Sequence, residues 1–270
     1  MSETQESKPV RHLLGLSGGK DSSALAIYIR DKYPEIHEKM EYFFADTGAE
    51  LPETLEFVDI LEDYLGKPIV RLNPERDFAY YLKLNGNFLP TLKTRWCTVN
   101  LKIRPFEDYV GNEPAITYVG IRADEPYRQG YISKKQNISA RYPFIEDGIK
   151  KEDVFAILEK AGVGIPKYYE WRNRSGCFFC FFQQKNEWVG LHERHPDLFE
   201  KAATYETFHQ EHGRDQTWSQ SERLEDILKR ADFIKENAKK MSESKSLKKN
   251  LLNRFADDGD SDESCLICHL

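Results

Sequence analysis

The sequence predicts an α/β fold, a parallel sheet with helices on both faces, followed by a mostly helical C-terminal part. Two observations carry this. Over the first 145 residues short apolar runs that stop at turn residues alternate with amphipathic stretches of helical period. Beyond about residue 145 only the helical period continues. The first strand is His12 to Leu16, and a helix with an apolar stripe of Ala24, Leu25, Ile27, Tyr28 and Ile29 follows from about Ser22 to Lys32, ended by Pro34. The second strand is Glu41 to Ala45, stopping at Asp46-Thr47-Gly48. Pro52 opens a helix over Glu53 to Leu65 that Gly66 can close. Lys67 to Leu72 reads as a third strand and Ile116 to Gly120 as a fourth. Helices are expected over Lys151–Lys160, Glu187–His192, Pro196–His209 and Ser221–Lys240. The chain divides into an α/β part carrying the segment Ser17-Gly18-Gly19-Lys20-Asp21-Ser22 (1–145), a cysteine-bearing, mostly helical part (146–240) and a charged tail ending in CxxC (241–270).

Composition bounds the function. Of 270 residues, 40% are hydrophobic and 31% charged, the profile of a globular chain that can bury a substantial core. No run approaches the ~18 apolar residues of a membrane span, and the polar start MSETQESKPVRH has no signal-like apolar segment, so no membrane partner and a cytoplasmic location are expected. A net charge of -6 argues against coating nucleic acid by bulk charge while leaving room for a local basic groove. Five cysteines, an odd number with two CxxC pairs, point to metal or redox work rather than to a disulfide framework.

In an alternating sheet, ligands sit at the carboxyl ends of strands, where both the Ser17 loop and the Asp46-Thr47-Gly48 turn fall. Ser17-Gly18-Gly19-Lys20-Asp21-Ser22 joins a strand to a helix. Two glycines let backbone N–H groups face one anion, the helix start adds partial positive charge, and the Ser17 and Ser22 hydroxyls and the Lys20 ammonium add donors. Asp21 repels phosphate, so its role is to hold magnesium or to position the loop. The pattern is not the Walker loop, which has a longer spacer before its lysine. Arg122, just past the fourth strand and Gly120, offers a guanidinium fork suited to phosphate; a salt bridge to Asp124 or Glu125 is the other reading, and the two are compatible.

Around Cys97 lie Lys93, Arg95 and Lys102; Arg172 and Arg174 precede Cys177 and Cys180. Trp96, Trp171, Phe178, Phe179, Phe181 and Phe182 are interleaved with these cations, an arrangement that suits either nucleic acid or an apolar wall. The lysines between 235 and 249 read as a solvated helix face, followed by an acidic run and by Cys265-Leu266-Ile267-Cys268-His269-Leu270.

The loop resembles the pyrophosphate loop of the adenine nucleotide alpha hydrolases, which split ATP between its alpha and beta phosphates. More narrowly, the chain is similar over about residues 12 to 206 to the phosphoadenosine phosphosulfate reductase family. The resemblance lies in Asp46-Thr47-Gly48 with Pro52-Glu53-Thr54, in Gly120-Ile121-Arg122-Ala123-Asp124-Glu125 with Arg128, and in Tyr142-Pro143-Phe144-Ile145 with Asp153-Val154. It implies an adenine nucleotide alpha hydrolase-like fold, with ATP held by Ser17 to Ser22, Asp46, Thr47, Gly120 and Arg122, and with Lys20, Asp21, Arg122 and Cys97 acting on it together with Mg2+. It also implies a 4Fe–4S cluster on Cys97, Cys177 and Cys180, with Thr98 standing where a further thiolate is expected; zinc is the competing metal. Cys265 and Cys268 loosely echo the reductases' C-terminal cysteine, and read as a redox or sulfur relay, a fourth ligand or a free tail.

Within the family, reductases attack an activated sulfonucleotide and usually have degenerate loops, whereas here the loop is intact. Intact loop plus cysteines looks most like the sulfur-insertion ATP pyrophosphatases of bacterial DNA phosphorothioation. That implies DNA (or RNA) as acceptor, a cysteine desulfurase as sulfur donor and other DNA-modification proteins as partners; a homodimer is compatible with it. The alternatives are a sulfonucleotide (APS/PAPS) reductase of sulfate assimilation and a tRNA thiolase.

Overall fold

The computed structural model describes residues 9–128, 130, 133–206, 216–219 and 222–252, with 242–252 by backbone alone. Cys265 and Cys268 lie outside the described residues, as do the start of the helix expected from Ser221 and the end of that expected to reach His209.

Five parallel strands form one sheet in the order β3-β2-β1-β4-β5: β1 (Arg11–Gly15), β2 (Met40–Ala45), β3 (Ile69–Leu72), β4 (Ala115–Tyr118) and β5 (Ile138–Arg141). The four strands expected from apolar runs are present, with ends shifted by one or two residues. β5 was not expected, because its half-buried and exposed ISAR segment at the sheet edge carries no apolar run.

Helices cover both faces, as expected. α1 (Lys20–Lys32) begins directly after the loop, with Gly19 as its N-cap. α2 (Pro34–Lys39) starts at the proline expected only to end α1; its fixed φ suits a first helical position. α3 (Pro52–Leu65) closes at Gly66 in the left-handed region, φ 64°, donating to Glu62 and Asp63 carbonyls. α4 (Phe78–Leu84), α5 (Trp96–Thr98), a π turn (Val99–Ile103) and α6 (Arg104–Val110) lie between β3 and β4. Next come α7 (Pro143–Glu146), α8 (Lys151–Lys160), a 3-10 turn (Lys167–Glu170), α9 (Lys185–Arg194) and α10 (Pro196–Ala203). The single helix expected near the end is two, α11 (Leu224–Leu228) and α12 (Ala231–Leu252). None of the described helices is long and apolar enough to cross a membrane.

One core packs α1, α3 and α8 on the sheet through Leu14, Leu25, Phe44, Val58, Val154 and Leu158. A second is rich in aromatics and draws on both sides of residue 145, joining Leu51, Phe78 and Trp96 to Tyr168, Phe179, Trp188 and Trp218. The site lies where the two meet.

Candidate functional site

Strand order reverses direction between β1 and β4, and at such a switch point the loops leaving neighbouring strands diverge and open a crevice. The Ser17 loop leaves β1 and the Gly120–Asp124 segment leaves β4, so both edges of that crevice carry residues singled out in the sequence. The two edges approach closely: a Cβ on Gly120 would sit 3.0 Å from the Asp21 carbonyl oxygen. Gly18 adopts φ 68°, and a Cβ there would meet the Thr54 methyl group at 2.5 Å, so only glycine fits.

The loop is internally tied. Ser17 N–H donates to Ser22 Oγ (3.2 Å), Gly19 N–H donates to Ser17 Oγ (3.3 Å), and the Ser23 hydroxyl donates to the Gly19 carbonyl (2.8 Å). Asp21, buried in the first turn of α1, accepts from Lys20 Nζ on one oxygen (3.0 Å) and from Arg122 Nη1 on the other (3.0 Å). Arg122 also donates through Nε to Asp124 (2.9 Å), while Glu125 accepts from the Arg122 backbone (3.2 Å) and from Arg128 (2.9 Å). Of the two roles open to Asp21, the positioning one is therefore built into the fold. Burial pulls the Lys20 ammonium down, but Asp21 and Tyr169 outweigh it and the net direction is upward; Arg122 behaves likewise, with Asp21, Asp124 and Glu125 opposing its burial. Both cations stay charged at neutral pH.

A segment unrecognised in the sequence completes the loop. Tyr168 donates to the Gly18 carbonyl (2.7 Å), the Lys20 N–H donates to the Tyr169 hydroxyl (3.3 Å), and Ser175 Oγ donates to Ser17 Oγ (3.3 Å). Ser175 fills the space beside Gly19, where an added Cβ would lie 2.8 Å from its hydroxyl. No spacing rule marks these residues; only the tertiary fold brings them to the loop.

Two residues beyond Ser175 is Cys177. It lines, with Cys97 and Cys180, a single pocket walled by Thr47, Leu101, Phe179 and Phe182 and enclosing about 510 Å³ of non-protein space, its open mouth included. None of the three cysteines is in a disulfide. Thr47, expected at the nucleotide, is at this pocket instead: its hydroxyl lies 3.3 Å from Cys177 Sγ and donates to Glu50 (2.7 Å). Asp46 accepts from the Gly48 N–H (2.9 Å) and shapes the same turn. Burial pushes the Cys177 thiol up to about 12, helped by the nearby Glu50 carboxyl, and burial also raises Glu50 against the pull of Lys102. A metal bound at Cys177 would thus have to displace a proton. Among the described residues no three Cys, His, Asp or Glu side chains converge on a single-ion site.

The basic and aromatic residues separate. Trp96, Phe178 and Phe179 are buried in the aromatic core, and Phe179 also lines the pocket. Arg172, grouped in the sequence with cations available to a polymer, is 1% exposed and donates to the Gly176 (3.1 Å) and Cys177 (2.9 Å) carbonyls; it holds the cysteine turn and cannot meet a polymer. Arg95 and Arg174 remain at the rim, both over the half-buried Phe182 ring.

A parallel sheet with a phosphate-type loop at its switch point, and three thiols beside it, defines the class: an α/β domain with a cysteine pocket. The chain belongs to the phosphoadenosine phosphosulfate reductase domain family, whose model matches residues 11–180. It is 28% identical over 207 residues to an uncharacterized protein of Methanocaldococcus jannaschii, covering 72% of this chain and 40% of that one. A second protein of that organism is 27% identical over 198 residues, covering 68% of this chain and 45% of that one. The chain thus spans under half the length of these relatives. An uncharacterized nin region protein of Escherichia phage lambda is 26% identical over 210 residues, covering 67% and 68%. Similar solved structures include the phosphoadenylyl-sulfate reductase of Candida auris in a phosphate complex (TM-score 0.49, 13% identity, covering 64% of this chain and 84% of that one). The U34-tRNA thiolase NcsA of Methanococcus maripaludis with its 4Fe–4S cluster has a TM-score of 0.42 and 16% identity, covering 73% and 71%.

Proposed function

We propose that the chain is an ATP pyrophosphatase that activates an acceptor oxygen for replacement by sulfur, with a DNA backbone phosphate as acceptor. The observation that carries this reading is a shared wall: Ser175 touches the phosphate loop and Cys177, two residues on, lines the thiol pocket. A nucleotide bound at one is adjacent to sulfur held at the other.

The loop N–H groups, Lys20 and the start of α1 bind the polyphosphate and stabilise charge on the departing pyrophosphate. Arg122, fixed by Asp21 and Asp124, holds the loop in place. The acceptor oxygen attacks the alpha phosphorus, pyrophosphate leaves, and sulfur at the sulfide level then displaces AMP, with no net oxidation. ATP arrives as its Mg2+ complex, the ion neutralising the leaving pyrophosphate. Cys97, Cys177 and Cys180, spread around one apolar-walled pocket, fit a multi-atom iron–sulfur group better than one tetrahedral zinc, whose donors must close to about 2.3 Å of a single centre. A 4Fe–4S cluster held there would offer an iron without a protein thiolate as a place to carry sulfur. A cysteine desulfurase would supply that sulfur as a persulfide, with a dithiol reductant giving the two electrons that bring it to the sulfide level and leaving as its disulfide; other DNA-modification proteins would accompany it, and Cys265 and Cys268 would relay the sulfur.

Lys20→Ala is expected to abolish AMP and pyrophosphate release from ATP in the presence of acceptor; unchanged turnover sinks the proposal. The family match favours one second reading, a sulfonucleotide reductase, which would release sulfite with a thiol reductant and no ATP. RNA but not DNA as acceptor would make the chain a tRNA thiolase.

A further inference from the structure

We infer that Arg95, Arg174 and Phe182 form a clamp for a phosphodiester backbone at the mouth of the cysteine pocket. The inference rests on the nucleic-acid reading above and assigns the residues that would hold the polymer.

Each guanidinium lies over the Phe182 ring, 5.0 Å from its centroid, so the two cations are no more than twice that distance apart. Their neighbours in the fold have counter-charges or carbonyls: Arg122 has Asp21 and Asp124, Arg128 has Glu125, and Arg172 has two backbone oxygens. Arg95 and Arg174 have no carboxylate or hydrogen-bond acceptor among the described residues, and Arg95 Nε and Arg174 Nη1 are buried without a partner. Two cations beside one ring, each with a desolvated donor left unsatisfied, form an arrangement that bound anionic oxygens relieve. The ring supplies some of the restraint, since a cation over its face is held by the quadrupole, and it fixes both forks at the rim.

The position identifies the anion. Phe182 lines the same pocket as Cys97, Cys177 and Cys180, Arg95 precedes Cys97 by two residues, and Arg174 precedes Cys177 by three. The phosphates of the adenine nucleotide have a separate place, because Ser175 rather than Arg174 faces the Ser17 loop. The pair is a second anion site beside the sulfur. Guanidinium forks match the oxygens of a phosphodiester, and Phe181, with its ring centroid 4.5 Å from that of Phe182, extends an aromatic surface on which a base can stack. With a net charge of -6, the chain has no bulk attraction for such a polymer, so binding must depend on local contacts of this kind.

The test is a fluorescence-anisotropy titration of the full chain with labelled single-stranded DNA and RNA oligonucleotides, without ATP, over a range of salt. The double variant R95A/R174A is expected to bind at least about tenfold more weakly, and its log affinity against log salt should flatten by about 1.4, two single-strand phosphate contacts' worth. R95K/R174K should retain the salt slope while losing affinity, because ammonium groups keep charge but not the fork. Thermal unfolding of the variants checks that the fold survives. RNA bound more tightly than DNA, with the same loss in the variant, supports the clamp and redirects the acceptor. Equal affinity and slope in R95A/R174A, or no oligonucleotide binding by the unaltered chain, overturns it. Since the titration contains no ATP, a chain that binds oligonucleotide through this pair but never splits ATP refutes only the proposed function, and one that splits ATP while ignoring these arginines refutes only the clamp.

Discussion

The phosphate loop and the cysteine pocket lie side by side and are built on opposite principles. At the loop, the fold supplies the partners: Asp21 has Lys20 and Arg122, Ser17 has Ser22 and Ser175, and the Gly18 carbonyl has Tyr168. At the pocket, an apolar wall surrounds thiols outside any disulfide, and the rim holds arginine donors without acceptors among the described residues. The first region is rigid before its ligand arrives, which suits catalysis by preorganised donors. The second leaves buried donors unpaired among the described residues.

The comparison makes its strongest claim at Arg122. Arg122→Ala should destabilise the chain by about 3 kcal/mol in urea unfolding, because it strips a buried carboxylate at Asp21 of one of its two cations. A loss below about 1 kcal/mol would mean that the loop is not held by this pair. Cys177→Ser should behave differently. A serine hydroxyl can still meet Thr47, so stability should change by less than about 1 kcal/mol, while iron retained after anaerobic preparation falls. Unchanged iron would remove the pocket as a cluster site, and an unfolded variant would make the cysteine structural.

The smallest effect concerns Glu50. Burial raises this carboxyl above its ordinary value, so the protonated form is favoured in the folded state. Stability from that preference is fully present at about pH 4 and is lost as pH rises through the raised value. Glu50→Gln should therefore match the unaltered chain near pH 4 and exceed it by about 2 °C in Tm at pH 7. A glutamine oxygen can keep the Thr47 and Ala49 N–H groups, while its amide faces the Thr47 hydroxyl. A Tm lower than the unaltered chain's at both pH values would assign the carboxylate a structural charge.

Local pattern was a good guide to the loop and a partial one to the pocket. Ser17 to Ser22, Gly120 and Arg122 meet because each follows a buried strand whose apolar run is visible in the chain, and parallel order does the rest. Cys97, Cys177 and Cys180 share a pocket as the family resemblance implied. Arg172 was misjudged because charge in a sequence says nothing of backbone carbonyls waiting in the interior. Tyr168, Tyr169 and Ser175 left no signal, since their roles depend on contacts across as many as 158 positions; Glu50, bonded locally to Thr47 and Ala49, matters through its burial near Cys177. β5 escaped for the opposite reason, an edge strand needing only one neighbour and little apolar surface.

The ten residues from Tyr168 to Cys177 also bear on how the chain can be taken apart. A truncated piece ending near residue 145 would retain every loop residue and all five strands, yet lose the hydroxyl packed beside Gly19 and both tyrosines bracing the turn. The phosphate-type loop is thus not a detachable cassette: grafting the first half onto another scaffold would transplant the motif without its brace.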